Sequence, residues 1–200
     1  MITIVDYGVG NIGSLINMFR RIGQEAGLTA DPQQIVSAER LLLPGVGAFD
    51  AATAKLREGG FDVAIREFAH TGRPLLGICL GMQLLLDSSE EGASPGLGLI
   101  PGGSVRFDDS GGTRVPHMGW NQLVVQKPAA IVDGLPENHR FYFVHSYRVV
   151  VADERDELAR SEYGGEFTSM VQRENVTGAQ FHPEKSHAFG MQMLDQWARS

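Results

Sequence analysis

The sequence predicts an α/β fold: a single domain over residues 1–200 with a central mixed, mostly parallel sheet flanked by helices, plus an antiparallel extension in the second half. Three observations carry this prediction. Strand-like and helix-like runs alternate through the first half, the pattern of parallel strands joined by right-handed crossovers. A G-x-C-x-G motif, Gly77–Gly81, closes one apolar run and opens a helical one. Short β-branched runs separated by turn residues dominate the second half.

Ile2–Tyr7 is a β-branched strand closed by Gly8 and Gly10, and from Asn11 the residues Ile12, Leu15, Ile16, Phe19 and Ile22 recur at helical spacing. Leu41–Leu43 reads as a buried strand stopping at Pro44-Gly45. Asp50–His70 reads as a helix interrupted at Gly59-Gly60, with Leu56, Val63 and Phe68 among its apolar positions. Leu75–Cys79 is a further strand, followed at once by the helical pattern Met82, Leu85, Leu86. Ser88–Gly103 is glycine- and proline-rich, yet apolar residues punctuate it, so an ordered loop is expected. Ser104–Phe107, Asn121–Val125, Phe141–Val151, Phe167–Arg173 and Val176–His182 read as strands, the last two joined by a hairpin at Glu174-Asn175. An amphipathic helix over 187–199 closes the chain, with Phe189, Met193, Leu194 and Trp197 inward.

Composition narrows the function. Hydrophobic residues make up 42% and charged residues 20% of the 200, which excludes disorder and coiled coil. The net charge of −7 speaks against holding nucleic acid through its phosphates. A single cysteine, Cys79, excludes an intrachain disulfide and a four-cysteine zinc site. The longest apolar stretch, Pro74–Leu86, is shorter than the ~18–20 residues that span a bilayer. No basic leader precedes Ile2–Val5, so a reduced, cytoplasmic protein is expected.

Two glycine motifs compete for the chemistry. Gly8-Val9-Gly10-Asn11-Ile12-Gly13 is a literal G-x-G-x-x-G between strand and helix, with Asp31 beyond it, the context of a dinucleotide fingerprint. Against it, Glu25–Ala30 makes a poor second strand and Asp6 places negative charge beside any phosphate. A tight structural turn and a nucleotide site both remain open on these residues.

Gly77-Ile78-Cys79-Leu80-Gly81 has the form of a nucleophile elbow with cysteine in place of serine. The strained turn lifts the sulfur out of the sheet, and the Leu80 N–H starts a helix where an oxyanion would form. A buried structural cysteine is the alternative, unless a base lies elsewhere. Of six histidines (His70, His117, His139, His145, His182 and His187), His182 lies in Phe181-His182-Pro183-Glu184 at a strand end. Pro183 stops regular sheet there, and Glu184 can reach across it to orient the imidazole. Cys79, His182 and Glu184 therefore make a nucleophile, base and orienter. No close-spaced ligand pair accompanies them, so no metal is expected, and no cofactor.

The acid follows the histidine here, and G-I-C-L-G-M-Q with a late F-H-P-E resembles the class I, triad-type glutamine amidotransferases. D-Y-G-V-G-N at 6–11, L-P-G-V-G-A-F at 43–49, P-H-M-G-W-N at 116–121 and F-H-P-E-K-S at 181–186 narrow the likeness. Together they resemble the branch forming the glutaminase subunits of imidazole glycerol phosphate synthases, in histidine biosynthesis, over residues 4–194. The resemblance implies that Cys79 attacks the glutamine carboxamide, with an oxyanion hole from the backbone of Leu80 and of Val46 and Gly47. It implies substrate contacts at Gln83, Glu91, His145, Ser146 and Tyr147. It places Asn11, His117, Met118, Trp120 and Asn121 against a (β/α)₈ cyclase subunit in a heterodimer, with Tyr142 and Lys185 near the ammonia passage. The turn Gly8–Gly13 then belongs to the partner face. Arg148 departs from the expected pattern and could alter the pocket wall; His187 has no assigned role. Another class I glutaminase subunit (of anthranilate or pyridoxal phosphate synthase), a stand-alone cysteine hydrolase and an NAD-binding module remain as alternatives.

Overall fold

The computed structural model describes residues 1–200. In chain order it runs β1 (Ile2–Val5), α1 (Ile12–Arg21), β2 (Ala26–Thr29), α2 (Pro32–Ser37), β3 (Arg40–Gly45), α3 (Phe49–Glu58), α4 (Phe61–Ala69), β4 (Leu75–Cys79) and α5 (Leu80–Leu84). The second half adds β5 (Ser88–Ser89), β6 (Gly102–Arg106), β7 (His117–Asn121), β8 (Val124–Val125), β9 (Phe141–His145), β10 (Tyr147–Val151), β11 (Glu157–Glu162), β12 (Glu166–Arg173), β13 (Val176–Ala179) and α6 (His187–Arg199).

Eleven strands form one sheet, ordered β2-β1-β3-β4-β13-β12-β10-β6-β5, with β11 on β12 and β8 on β11. From β2 to β13 every pair is parallel. Beyond β13 the neighbours β12, β10 and β6 are antiparallel, and β5 is again parallel to β6. The strands β1, β3 and β4 are apolar runs because helices cover both faces of the parallel part. One face packs α1 and α6, where Leu15 and Phe19 meet Leu194 and Trp197. The other packs α2–α5 through Ile35, Phe49, Leu56 and Phe68. A two-stranded antiparallel ribbon, β7–β9, stands apart from the main sheet.

Several elements differ from the sequence expectation. The first strand ends at Val5, leaving Asp6 and Tyr7 in the turn. β3 continues through Pro44 and Gly45, because Pro44 needs no ladder donor there and Gly45 stays in register with Cys79. The segment Glu25–Ala30 does supply a strand, β2, tolerated because it is a half-exposed edge. Val63 is 63% exposed rather than inward. The run Phe141–Val151 breaks at Ser146, sending β9 to the ribbon and β10 to the main sheet. The strand expected over Asn121–Val125 is divided between β7 and β8, and β11, a charged run with no strand-like alternation, was not anticipated. α5 is only one turn and a half, so Leu85 and Leu86 follow it in a turn.

Candidate active site

Parallel strands end at one edge of a sheet, and loops gather there. At this edge lie the Tyr7–Asn11 turn after β1, the Val46–Ala48 loop after β3, the β4–α5 elbow, and Gln180–His182 after β13. Register fixes their spacing: Gly45 pairs with Cys79, and Ala179 with Ile78. The loop after β3 and the histidine after β13 therefore flank the cysteine on its two sides.

Cys79 sits at φ 56° and ψ −112°, an unfavourable conformation for a residue with a side chain. Its flanking glycines are obligatory. A Cβ on Gly81 would lie 2.0 Å from the Leu43 carbonyl oxygen, and one on Gly77 would lie 2.7 Å from the Gly81 carbonyl oxygen. The Leu80 N–H opens α5 without an intrahelical acceptor. Neither the Val46 nor the Gly47 N–H has an acceptor within the chain. Val46, Gly47 and Leu80 line the same cavity as Cys79.

His182 is 2% exposed, and its Nδ1 lies 2.8 Å from Glu184 Oε1. A single turn, Pro183–Lys185, brings that carboxylate back onto the imidazole. The backbone is held as well: His182 N donates to Tyr142 O, and Ser186 Oγ donates to His182 O. Burial disfavours the imidazolium, but hydrogen bonds to Cys79 and Glu184 and the charges of both outweigh it, holding the pKa up at about 9. His182 is thus held as imidazolium at neutral pH. Asn11 Nδ2 also reaches Glu184 Oε1, at 3.4 Å.

A cavity of about 350 Å³ opens over the sulfur, lined by Val46, Gly47, Cys79, Leu80, Gln83, Glu91, Pro116, Val144, His145, Ser146, Tyr147, His182 and Lys185. All five residues expected to touch substrate are among them. Gln83, Glu91 and His145 are already engaged by the protein. Gln83 Nε2 donates to Gln180 Oε1 and Tyr147 O, so its own oxygen is the group left for a ligand. Glu91 Oε2 accepts the Phe49 N–H at the start of α3. Arg148 is not part of this wall; it lines a separate depression with Glu157 and Glu166.

The expected partner residues divide. Met118 and Trp120 are 61% and 45% exposed on the ribbon's outer face. Trp120 stacks on His187 at 5.4 Å and meets Tyr142 edge-on, and the Lys185 ammonium lies 5.8 Å from the Tyr142 ring centre. His117 is buried, at 1% exposure. It stacks between Tyr163 and Phe143 at 4.0 and 4.8 Å. Its Nδ1 lies 3.0 Å from His145 Nε2, and His145 Nδ1 lies 2.8 Å from the Tyr147 carbonyl. That carbonyl only accepts, so His145 carries its proton on Nδ1 and His117 must donate from Nδ1. His117 Nε2 then accepts from Asn121 Nδ2. Burial forces both rings neutral, with pKa values of about 4 for His117 and about 3 for His145. Gln180, which the sequence analysis passed over, is fully buried with Nε2 3.9 Å from Cys79 Sγ. Its place two residues before His182 was the one available signal.

A cysteine, a buried histidine–glutamate pair and unpaired backbone donors thus meet at one cavity, and comparison with known proteins decides the lineage. The family model for glutamine amidotransferase class-I matches residues 3–199. The chain belongs to the class-I glutamine amidotransferases. Within that family it is 48% identical over 200 residues to imidazole glycerol phosphate synthase subunit HisH 2 of Methanococcus maripaludis, covering 100% of this chain and 99% of the relative. It is 51% identical over 195 residues to the protein of that name from Pseudomonas aeruginosa, covering 97% and 96%. Among solved structures, the PurLQS complex of Thermotoga maritima contains a chain with TM-score 0.75 at 21% identity, covering 99% of this chain and 97% of that one. A crystal structure described as glutamine amidotransferase has TM-score 0.71 at 22% identity, with 98% of each chain covered. These solved structures share the fold. The glycine turn Gly8–Gly13 accordingly serves in an amidotransferase.

Proposed function

We propose that this chain is the glutamine-hydrolysing subunit of an imidazole glycerol phosphate synthase, working in the cytoplasm, and that it passes ammonia to a (β/α)₈ cyclase subunit docked on the Trp120 face. The cluster of Cys79, His182 and Glu184 in the floor of the cavity carries the chemical part. Full-length identity near one half to subunits bearing that name carries the choice of pathway.

The thiolate of Cys79 attacks the side-chain carbonyl carbon of glutamine, and the oxygen gains charge against the N–H groups of Leu80 and of Val46 or Gly47. His182 as imidazolium gives its proton to the amide nitrogen, the C–N bond breaks and ammonia leaves. Neutral His182 then takes a proton from water as the hydroxide adds to the thioester carbonyl, and collapse returns thiolate and releases glutamate. Glu184 holds Nδ1 throughout, which keeps Nε2 as the proton carrier. Ammonia released into water near neutral pH is protonated and lost as a nucleophile, so the product needs a dry path to its consumer. Val46 is exposed in the cavity lining, and Met118 and Trp120 are exposed on the ribbon, apolar surface that such a partner would cover.

Glutamate release by the parent and by Cys79→Ala, each with and without the cyclase subunit, tests this. Strong stimulation by that subunit, abolished in Cys79→Ala, is expected. Release that persists in Cys79→Ala overturns the nucleophile, and full release without partner overturns the coupling.

A further inference from the structure

We propose that Gln180 is a thiolate-stabilising donor: its side-chain N–H is aimed at Cys79 Sγ by a relay that begins at the Tyr147 carbonyl. The relay is fixed by hydrogen-bond polarity. Tyr147 O accepts only, so the Gln83 amide must present its nitrogen, which lies 3.3 Å away. The same nitrogen lies 3.1 Å from the Gln180 amide and donates to it, so Gln180 turns its oxygen towards Gln83. Its own nitrogen is thereby left pointing at the sulfur, at 3.9 Å. The Gln180 backbone is pinned by its N–H to Ser169 O, and its side chain is fully buried.

Gln180 is fully buried and does not line the cavity. A donor there favours the thiolate whether or not glutamine is bound. It adds to the imidazolium of His182. Gln83 acquires a second task, orienting Gln180 from within the cavity wall.

Cys79 is the only cysteine, so alkylation by iodoacetamide reports on it alone. The alkylation rate is measured against pH in the parent, in Gln180→Met and in Gln180→Glu. Losing one hydrogen bond to the thiolate should raise the lower step of the Cys79–His182 titration by roughly half to one pH unit in Gln180→Met. Gln180→Glu keeps the bond to Gln83 but puts an acceptor against the sulfur, so its rise should be larger. The kcat for glutamate release should fall in both with KM for glutamine unchanged. An unmoved midpoint in both variants overturns the proposal, as does slower alkylation without a shift of midpoint. If Gln180→Met does not fold, Gln180→Glu decides alone. The catalytic consequence rests on Cys79 as nucleophile, but the titration does not: a parent that releases no glutamate would sink the functional reading while the midpoints still judge Gln180.

Discussion

Lowering the pH from about 7.5 to about 5.0 protonates histidines in the unfolded chain but leaves His117 and His145 neutral in the folded one. Their folded pKa values of about 4 and about 3 compare with an ordinary 6.5. Below 6.5 the unfolded state therefore binds two more protons than the folded state, and stability falls as pH falls. At about pH 5 each ring contributes a loss of ~2 kcal/mol, so the pair costs ~4 kcal/mol, with a slope approaching ~2.7 kcal/mol per pH unit. Near pH 5 His182 adds little to this slope, because it is protonated in both states; above about pH 6 the unfolded form loses its proton first and opposes the rise, so the slope is read between about 5 and 6. Urea unfolding followed by fluorescence, at several pH values in that range, measures the slope directly. His117→Gln keeps a donor for His145 and an acceptor for Asn121, removes one titrating group, and should halve the slope. A parent slope below one proton, or an unchanged slope in His117→Gln, refutes the assignment of two buried neutral rings.

Four further outcomes follow. In Cys79→Ala the His182 imidazole should titrate at least about one unit below its parental value by NMR, since burial persists and the sulfur's hydrogen bond and charge are gone. In the parent, the stability drawn from His182 is complete below pH 6.5 and is lost as pH rises through about 9. Gly81→Ala drives a methyl into the Leu43 carbonyl and should lower stability by more than ~3 kcal/mol, read as a Tm at least ~6 °C lower. Trp120→Ala should weaken binding of the cyclase subunit by roughly thirtyfold or more in a titration, while leaving the circular dichroism spectrum unchanged.

The elbow was legible because its requirements are local: two glycines around one cysteine, strand before and helix after. The histidine and glutamate were legible because Pro183 forces a turn between them. What could not be read depends on partners distant in sequence. His117 was expected on the partner face, yet Tyr163 from the β11–β12 turn and Phe143 from β9 enclose it. Gln180 gains its meaning only when Gln83, 97 positions away in the chain, fixes its amide. The break at Ser146 escaped notice because β9 and β10 have the same strand-like composition and part only in the sheets they join. β11 forms from a charged run because β12 and β8 supply its ladder on both sides, a tertiary demand that overrides local preference.

The ribbon β7–β9 pairs with no strand of the main sheet, and its isolated bridge to the catalytic edge joins Tyr142 to His182. Such a layout lets inheritance treat two tasks separately. Substitutions on the outer face of the ribbon leave the register around the elbow untouched, so a lineage can change the company it keeps without relearning hydrolysis. The same bridge limits that freedom, because whatever settles on the ribbon leans, through one backbone contact, on His182, the proton carrier of the proposed mechanism. Partner exchange in proteins of this design should therefore be permissive at Met118 and Trp120 and restrictive at Tyr142.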